Sequence, residues 1–281
     1  MSTISAAAVR ELRDRTNLPM MACKQALVKA NGDMEAAIKE LRTSFAGVKE
    51  KMGGRETGEG RIASFIDPAK KVGAILEMRC ESAPVAKSEQ FTALAAEIAK
   101  QIALKGADSA EALLSQPYVD ETSQTINDRI TAVVGLIREN IKPGRFTRLE
   151  GLLGSYTHHD GSLGVLLEVT GKDSADAQLL RDVCMHIAAK NPVAALREHV
   201  PAETLAKEKE IASAQAAATG KPAAIVEKIA EGKIKTWLAE NVLVEQPFVK
   251  DDTKTVGDVL KSAGLSVVRF VRYKVGESTG S

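Results

Sequence analysis

Apolar side chains recur at helical spacing from the start of the chain: Ile4, Ala8 and Leu12, then Met20, Cys23, Leu27 and Ala30, then Met34, Ile38 and Leu41. Steps of three and four residues put each set on one helix face, so three short amphipathic helices closing on a single core are predicted over residues 1–45. Pro19 suits a first helical turn, Asn31-Gly32 a C-terminal stop, and Asp33 a cap that accepts from free backbone N–H groups. Consecutive Met20 and Met21 cannot both face that core. One is expected inside and the other exposed, where a flexible thioether makes an adaptable contact. Arg10 and Arg13 share a face at i, i+3, either as solvated surface or as the charged part of a contact.

Over residues 46–60 large apolar side chains become scarce, and Gly47, Gly53, Gly54, Gly58 and Gly60 alternate with charges of both signs. This composition predicts a linker, with some helix near Val48-Lys49-Glu50-Lys51, that lets the head move relative to the body. The body uses one design twice. Gly73-Ala74-Ile75-Leu76-Glu77-Met78 is echoed by Gly164-Val165-Leu166-Leu167-Glu168-Val169, and each run follows a second strand-like segment and a polar turn. Two β-hairpins are expected, each followed by a helix, with Phe91, Leu94, Ile98 and Ile102 marking the first and Leu179, Val183 and Ile187 the second. The fold class is therefore α+β, with two related core subdomains over residues 61–150 and 151–281.

A helical pair interrupts the later copy, with arms over 203–217 and 223–239 around Thr219-Gly220-Lys221-Pro222. Gly220 can take the left-handed conformation that ends one helix and Pro222 can open the next. Ile225, Ile229, Ile234 and Trp237 would form the seam. The charged run Lys207-Glu208-Lys209-Glu210 is expected to be a solvated face, and the hairpin 203–239 offers a surface for self-association. Another helix is predicted over 130–141, and Phe270-Val271-Arg272-Tyr273-Lys274-Val275 reads as the closing strand.

Composition narrows the chemistry. Across 281 residues, 44% hydrophobic content without a long apolar run predicts a protein of more than one domain and no membrane span. Met1-Ser2-Thr3-Ile4-Ser5 leads straight into a mixed-charge helix and not a secretory signal, so a cytoplasmic location is expected. Lys and Arg total 38 against 37 Asp and Glu, which is not the footprint of a protein that neutralises many phosphates; no direct nucleic-acid partner is expected. Cys23, Cys80 and Cys184 are far apart and lie within apolar patterns, as buried structural thiols do. Casting Cys80 as nucleophile and His186 as base has no local support. For His158-His159-Asp160 a polar turn is favoured over a metal site, because adjacent strand residues point to opposite faces. Thr219-Gly220-Lys221 is not a phosphate loop, since Gln215 and Pro222 stand where a glycine and a serine or threonine are required. No metal, no cofactor and no enzymatic activity are expected.

Several segments carry a family resemblance: Val9-Arg10-Glu11-Leu12-Arg13, Met20-Met21 with Cys23-Lys24 and Ala26-Leu27, Ala30-Asn31-Gly32-Asp33, Gly220-Lys221-Pro222, Gln246-Pro247-Phe248-Val249, and Phe270-Val271-Arg272-Tyr273-Lys274-Val275-Gly276-Glu277. In this order they resemble the elongation factor Ts family over nearly the whole chain. The resemblance implies an N-terminal module like a ubiquitin-associated domain and guanine nucleotide exchange on elongation factor Tu, the GDP-bound GTPase partner. It implies GTPase contacts by Arg10, Arg13, Met20, Met21, Ile137 and His158 and by the loop Ser82, Ala83, Pro84 and Val85. Ile137 is equally explained as a core residue of its helix.

At that loop the chain departs from the family, which usually carries Asp-Phe where Ala83-Pro84 stands. The family's phenylalanine wedges into the GTPase and displaces side chains that support its magnesium ion. A wedge acts by fitting the metal-free, nucleotide-loosened state better than the bound one. Pro84 is rigid but cannot fill an aromatic pocket. The alternative function is accordingly a holdase or assembly partner of the same GTPase with weakened exchange. A third reading, an adaptor for ubiquitin-like partners, would use the head alone.

Overall fold

The computed structural model describes residues 4–277 except Asn17; Met1, Ser2 and Thr3, quoted above, lie outside the described residues. Helices α1 (Ala6–Thr16), α2 (Met20–Lys29) and α3 (Met34–Met52) enclose a small core of Val9, Leu12, Leu18, Cys23, Ala26, Leu27, Ala37 and Leu41. Asp33 caps α3 as its position indicated, accepting from Ala36 N at 3.0 Å. The third helix runs past the expected boundary at residue 45 and takes up the first part of the predicted linker. Its apolar face continues through Phe45, Val48 and Met52, and the last two pack against the body. That burial outweighs the roughly 1 kcal/mol penalty of Gly47 inside a helix. Phe45 lies flat over Gly135, where a Cβ would come within 2.5 Å of the ring. The remaining connection, 53–58, is pinned: Asn140 Nδ2 donates to Gly53 O and Arg55 O, and Arg79 Nε to Thr57 O.

The first subdomain pairs β1 (Glu59–Asp67) with β2 (Val72–Cys80). It continues through α4 (Ala83–Ala86), α5 (Glu89–Lys105), α6 (Ala110–Ser115), β3 (Pro117–Tyr118), β4 (Glu121–Thr125), α7 (Ile126–Ile137) and β5 (Lys142–Glu150). The second contains β6 (Leu152–Thr157), β7 (Leu163–Thr170), α8 (Ala177–Lys190), the paired helices α9 (Ala202–Ala217) and α10 (Ala223–Asn241), β8 (Pro247–Phe248), β9 (Asp251–Thr255), α11 (Val256–Ser262) and β10 (Ser266–Lys274). Each subdomain has a three-stranded antiparallel sheet, ordered β1-β2-β5 and β6-β7-β10, with the repeated apolar strand at the centre. Because α5 covers one face of β2 and the second sheet the other, its apolar run is almost continuous and does not alternate. Ile62, Ile75, Leu149, Leu153, Leu166 and Tyr273 form the layer between sheets. The glycines that open the repeated motif permit this approach: a Cβ on Gly73 would meet Leu153 at 2.8 Å, and one on Gly164 would meet Ile62 at 2.5 Å.

The repeat extends further than the hairpins. Gln116-Pro117-Tyr118-Val119 and Gln246-Pro247-Phe248-Val249 each enter a two-residue strand, and each is followed by a threonine that caps a helix in a reciprocal box, Thr125 with Asp128 and Thr255 with Asp258. The buried polar partner differs between copies. Gln101 donates to Gln116 Oε1 at 2.8 Å and accepts from Val119 N at 2.8 Å. His186 takes the same place, with Nε2 2.9 Å from Gln246 Oε1 and Val249 N donating to Nδ1 at 3.2 Å.

Burial lowers the His186 pKa, and the ring is held neutral between these two partners. The folded state therefore binds a proton less readily than the unfolded chain. The stability tied to His186 is complete above about pH 6.5 and is lost as pH falls toward the depressed folded value, by at most about 1.4 kcal/mol per pH unit. Urea midpoints at pH 7.5 and 5.5 should show this loss. His186→Gln, which installs the residue used by the first copy, should diminish it while leaving the pH 7.5 midpoint nearly unchanged.

Two further expectations are corrected. The helix predicted over 130–141 spans Ile126–Ile137, because Arg138 adopts a left-handed conformation (φ 61°) that ends it. In the inserted hairpin Ala212 and Ala216 of α9 are buried and Ile229, Ile234 and Trp237 of α10 are half-buried, so the expected seam fails at Ile225 alone. Ile225 is exposed, and Trp237 packs at the hairpin base with Val200, Leu205 and Val242.

Candidate functional site

The turn after β2 is built from the local sequence Ser82-Ala83-Pro84-Val85-Ala86. Ser82 holds extended dihedrals (φ −130°, ψ 150°), and Pro84 falls in the first turn of α4, where no N–H donor is needed. Ala83 and Pro84 face solvent, Ala86 is buried, and Val85 packs partly into the first core. Of the four residues proposed from sequence, only Ala83 and Pro84 are presented freely. Ser82 is engaged elsewhere: its Oγ donates to Glu139 Oε1 at 2.5 Å, while Glu81 N and Ser82 N donate to Glu139 Oε2, both at 3.1 Å.

Ile137 is the last residue of α7, half-buried against the first core, so both sequence readings hold in part. Two residues later comes Glu139, which brings the Ser82 turn and the end of α7 together. In the head, Arg10 and Arg13 are exposed, and Arg13 Nε lies 3.4 Å from Asp14 Oδ1. Both methionines are exposed, Met20 by 47% and Met21 by 62%. The expectation that one would enter the core is corrected: buried Leu18, just ahead of α2, occupies that end of it.

His158 lies just past β6, half-buried, with Nδ1 2.7 Å from the Tyr156 hydroxyl. Tyr156 has no sequence signal for this contact, because its partner lies just beyond the end of β6. The His158 and His159 rings stand only 4.4 Å apart, contrary to the opposite-face expectation, because the strand has ended and the chain is turning. Among the described residues no three His, Cys, Asp or Glu side chains are grouped as a metal would require. The turn docks on the first subdomain through Ile62 N donating to Gly161 O at 2.7 Å. Since Glu59 pairs with Cys80, the beginning of β1 adjoins both the Ser82 turn and the His158 turn.

The thiols are structural in character. Burial, followed by the Glu139 carboxylate, pushes Cys80 up to about 11, and burial also raises Cys23 and Cys184. Cys80 and His186 sit in different cores, with His186 committed to Gln246 and Val249. They do not form a catalytic pair. No helix among the described residues is long and apolar enough to cross a membrane.

Comparison with known proteins identifies the class as a translation elongation factor: the family model described as Elongation factor TS matches residues 84–277. The chain is 45% identical over 279 residues to Elongation factor Ts of Thioalkalivibrio sulfidiphilus, covering 98% of this chain and 93% of that one. It is 44% identical over 278 residues to Elongation factor Ts of Methylococcus capsulatus, with the same coverage, and 41% identical over 287 residues to that of Prosthecochloris aestuarii, covering 98% and 100%. The chain belongs to the elongation factor Ts family.

Proposed function

We propose that this protein is a guanine nucleotide exchange factor that promotes GDP release from elongation factor Tu in translation elongation. The observation that carries this reading is the exposed Ala83-Pro84 turn, anchored at one end to Glu139 and at the other to the first core through Val85 and Ala86. Arg10, Arg13, Met20 and Met21 of the head, with Ile137 and His158 of the body, complete the contact set. The mechanism needs no covalent step and no cofactor. A surface that prefers the open, magnesium-poor GTPase lowers its affinity for GDP, and linkage makes GDP lower the affinity for this protein in return.

A second reading is supported by one specific feature, the absence of an aromatic residue at position 84: a partner that binds and holds the GTPase while accelerating exchange weakly. Stopped-flow release of a fluorescent GDP from the cognate elongation factor Tu, across magnesium concentrations, separates the two. Exchange predicts release accelerated about ten-fold or more at saturating protein, equivalent to about 1.4 kcal/mol of differential binding, with less protein needed as magnesium falls. Tight binding with an unchanged release rate would leave only the holding function.

A further inference from the structure

Glu139 and Asn140 occupy the short link between α7 and β5, and they join three segments distant in sequence. The Glu139 carboxylate accepts Glu81 N and Ser82 N with one oxygen and Ser82 Oγ with the other. Asn140 N donates to Glu81 Oε1 at 2.6 Å, so the clasp closes in both directions. The buried Asn140 amide then reaches Gly53 O at 3.2 Å and Arg55 O at 2.7 Å, at the end of the head helix. Arg55 Nη1 completes the ring 3.5 Å from Glu81 Oε2.

The left-handed Arg138 turns the chain out of α7 immediately before these residues. A three-point charged acceptor on two successive amides and a hydroxyl fixes both the direction and the rotation of the segment entering α4, beyond what a single hydrogen bond would do. Local contacts hold the Ser82 carbonyl, which accepts from Cys80 Sγ at 3.4 Å and Ala86 N at 3.1 Å, but the Ser82 side chain does not cap its own helical turn, so its hydroxyl and the two amides before the turn are held by Glu139.

We propose that Glu139 is a positioning residue for exchange, holding the Ala83-Pro84 turn in the orientation that meets the GTPase and registering it with the head through Asn140. The proposal rests on the exchange reading and deepens it. Glu139 itself touches no reacting group. Its contribution is to keep the exposed turn ordered before the partner arrives, so the ordering cost is not charged to the step that opens the nucleotide site.

The test uses the full chain with Glu139→Ala and the near-isosteric Glu139→Gln, and reads two quantities. In the free protein, hydrogen exchange at the Glu81 and Ser82 amides should become at least about ten-fold faster in Glu139→Ala, with α5 and β2 still protected. With the cognate elongation factor Tu, the maximal GDP-release rate should fall about ten-fold while affinity for the nucleotide-free GTPase changes less than about three-fold. Glu139→Gln should lie between, because it keeps shape and one acceptor. Faster amide exchange with an unchanged release rate overturns the proposal, as does an equal loss of rate and affinity accompanied by general loss of protection. A wild-type protein that fails to accelerate release overturns the exchange reading instead, and the amide measurement then still reports whether Glu139 orders the turn.

Discussion

Glu77→Ala is expected to destabilise the protein by about 3–5 kcal/mol, the cost of removing one partner from a buried ionic group. Glu77 is only 2% exposed at the centre of β2. Its carboxylate accepts from Arg79 Nη1 at 2.9 Å, Arg145 Nε at 2.8 Å and Gly276 N at 3.1 Å. The two guanidinium groups would be left without their shared counter-charge in a mostly covered setting. Arg145 also stacks on Tyr273, 4.4 Å from the ring centroid, and donates to Lys274 O, so the loss propagates into β10. Heat denaturation should shift downward by about 10 °C, taking about 2–4 °C per kcal/mol for a chain approaching this size. Glu77→Gln, which keeps an acceptor but not the charge, should cost less. In a double-mutant cycle with Arg145→Ala, the pair should lose less than the sum of the singles, because the second change removes the stranded charge. Additive losses would show that the cluster is only space-filling.

The strands and most helices were legible because their signals are local. Paired apolar runs joined by polar turns and three-four spacing locate both hairpins, α5 and α8, and the glycine-initiated motif reveals the duplication. The second half of that duplication was hidden by the inserted α9–α10 pair: Gly73 and Gly164 are 164 − 73 = 91 residues apart, whereas Gln116 and Gln246 are 246 − 116 = 130 apart. A search at one fixed offset therefore loses the match. The glycines after residue 46 mask the end of α3, because what extends the helix is the burial of Phe45, Val48 and Met52, which depends on α7 and the first core.

At the site, sequence located the exposed turn but not what holds it. Ser82 and Glu81 reach Glu139 across 57 and 58 residues, a separation with no periodic or motif signature. Met20 was misplaced for a related reason. Helical spacing assigns it to the apolar face, but Leu18, which is not in the helix, fills the space. Such tertiary competition is invisible to a one-dimensional pattern.

Ala83→Asp combined with Pro84→Phe is expected to raise the GDP-release rate about ten-fold or more at subsaturating protein. Both positions face solvent, so the new side chains fit without disturbing the core, and an acidic residue at the start of a helical turn is electrostatically favoured. A phenylalanine buried in a partner contributes about 1.5–3 kcal/mol, and only the part realised in the open GTPase accelerates release. The exchange of proline for a freer residue offsets this by about 0.4–1 kcal/mol through the greater entropy of the unanchored chain. The effect should therefore appear chiefly in rate, with affinity for the GDP-bound GTPase nearly constant. Adding Glu139→Ala to this variant should remove most of the gain, because an aromatic wedge on an unheld turn has no fixed direction. A gain that survives loss of Glu139 would mean that residue type at position 84, and not the clasp beneath it, governs how well the turn opens the nucleotide site.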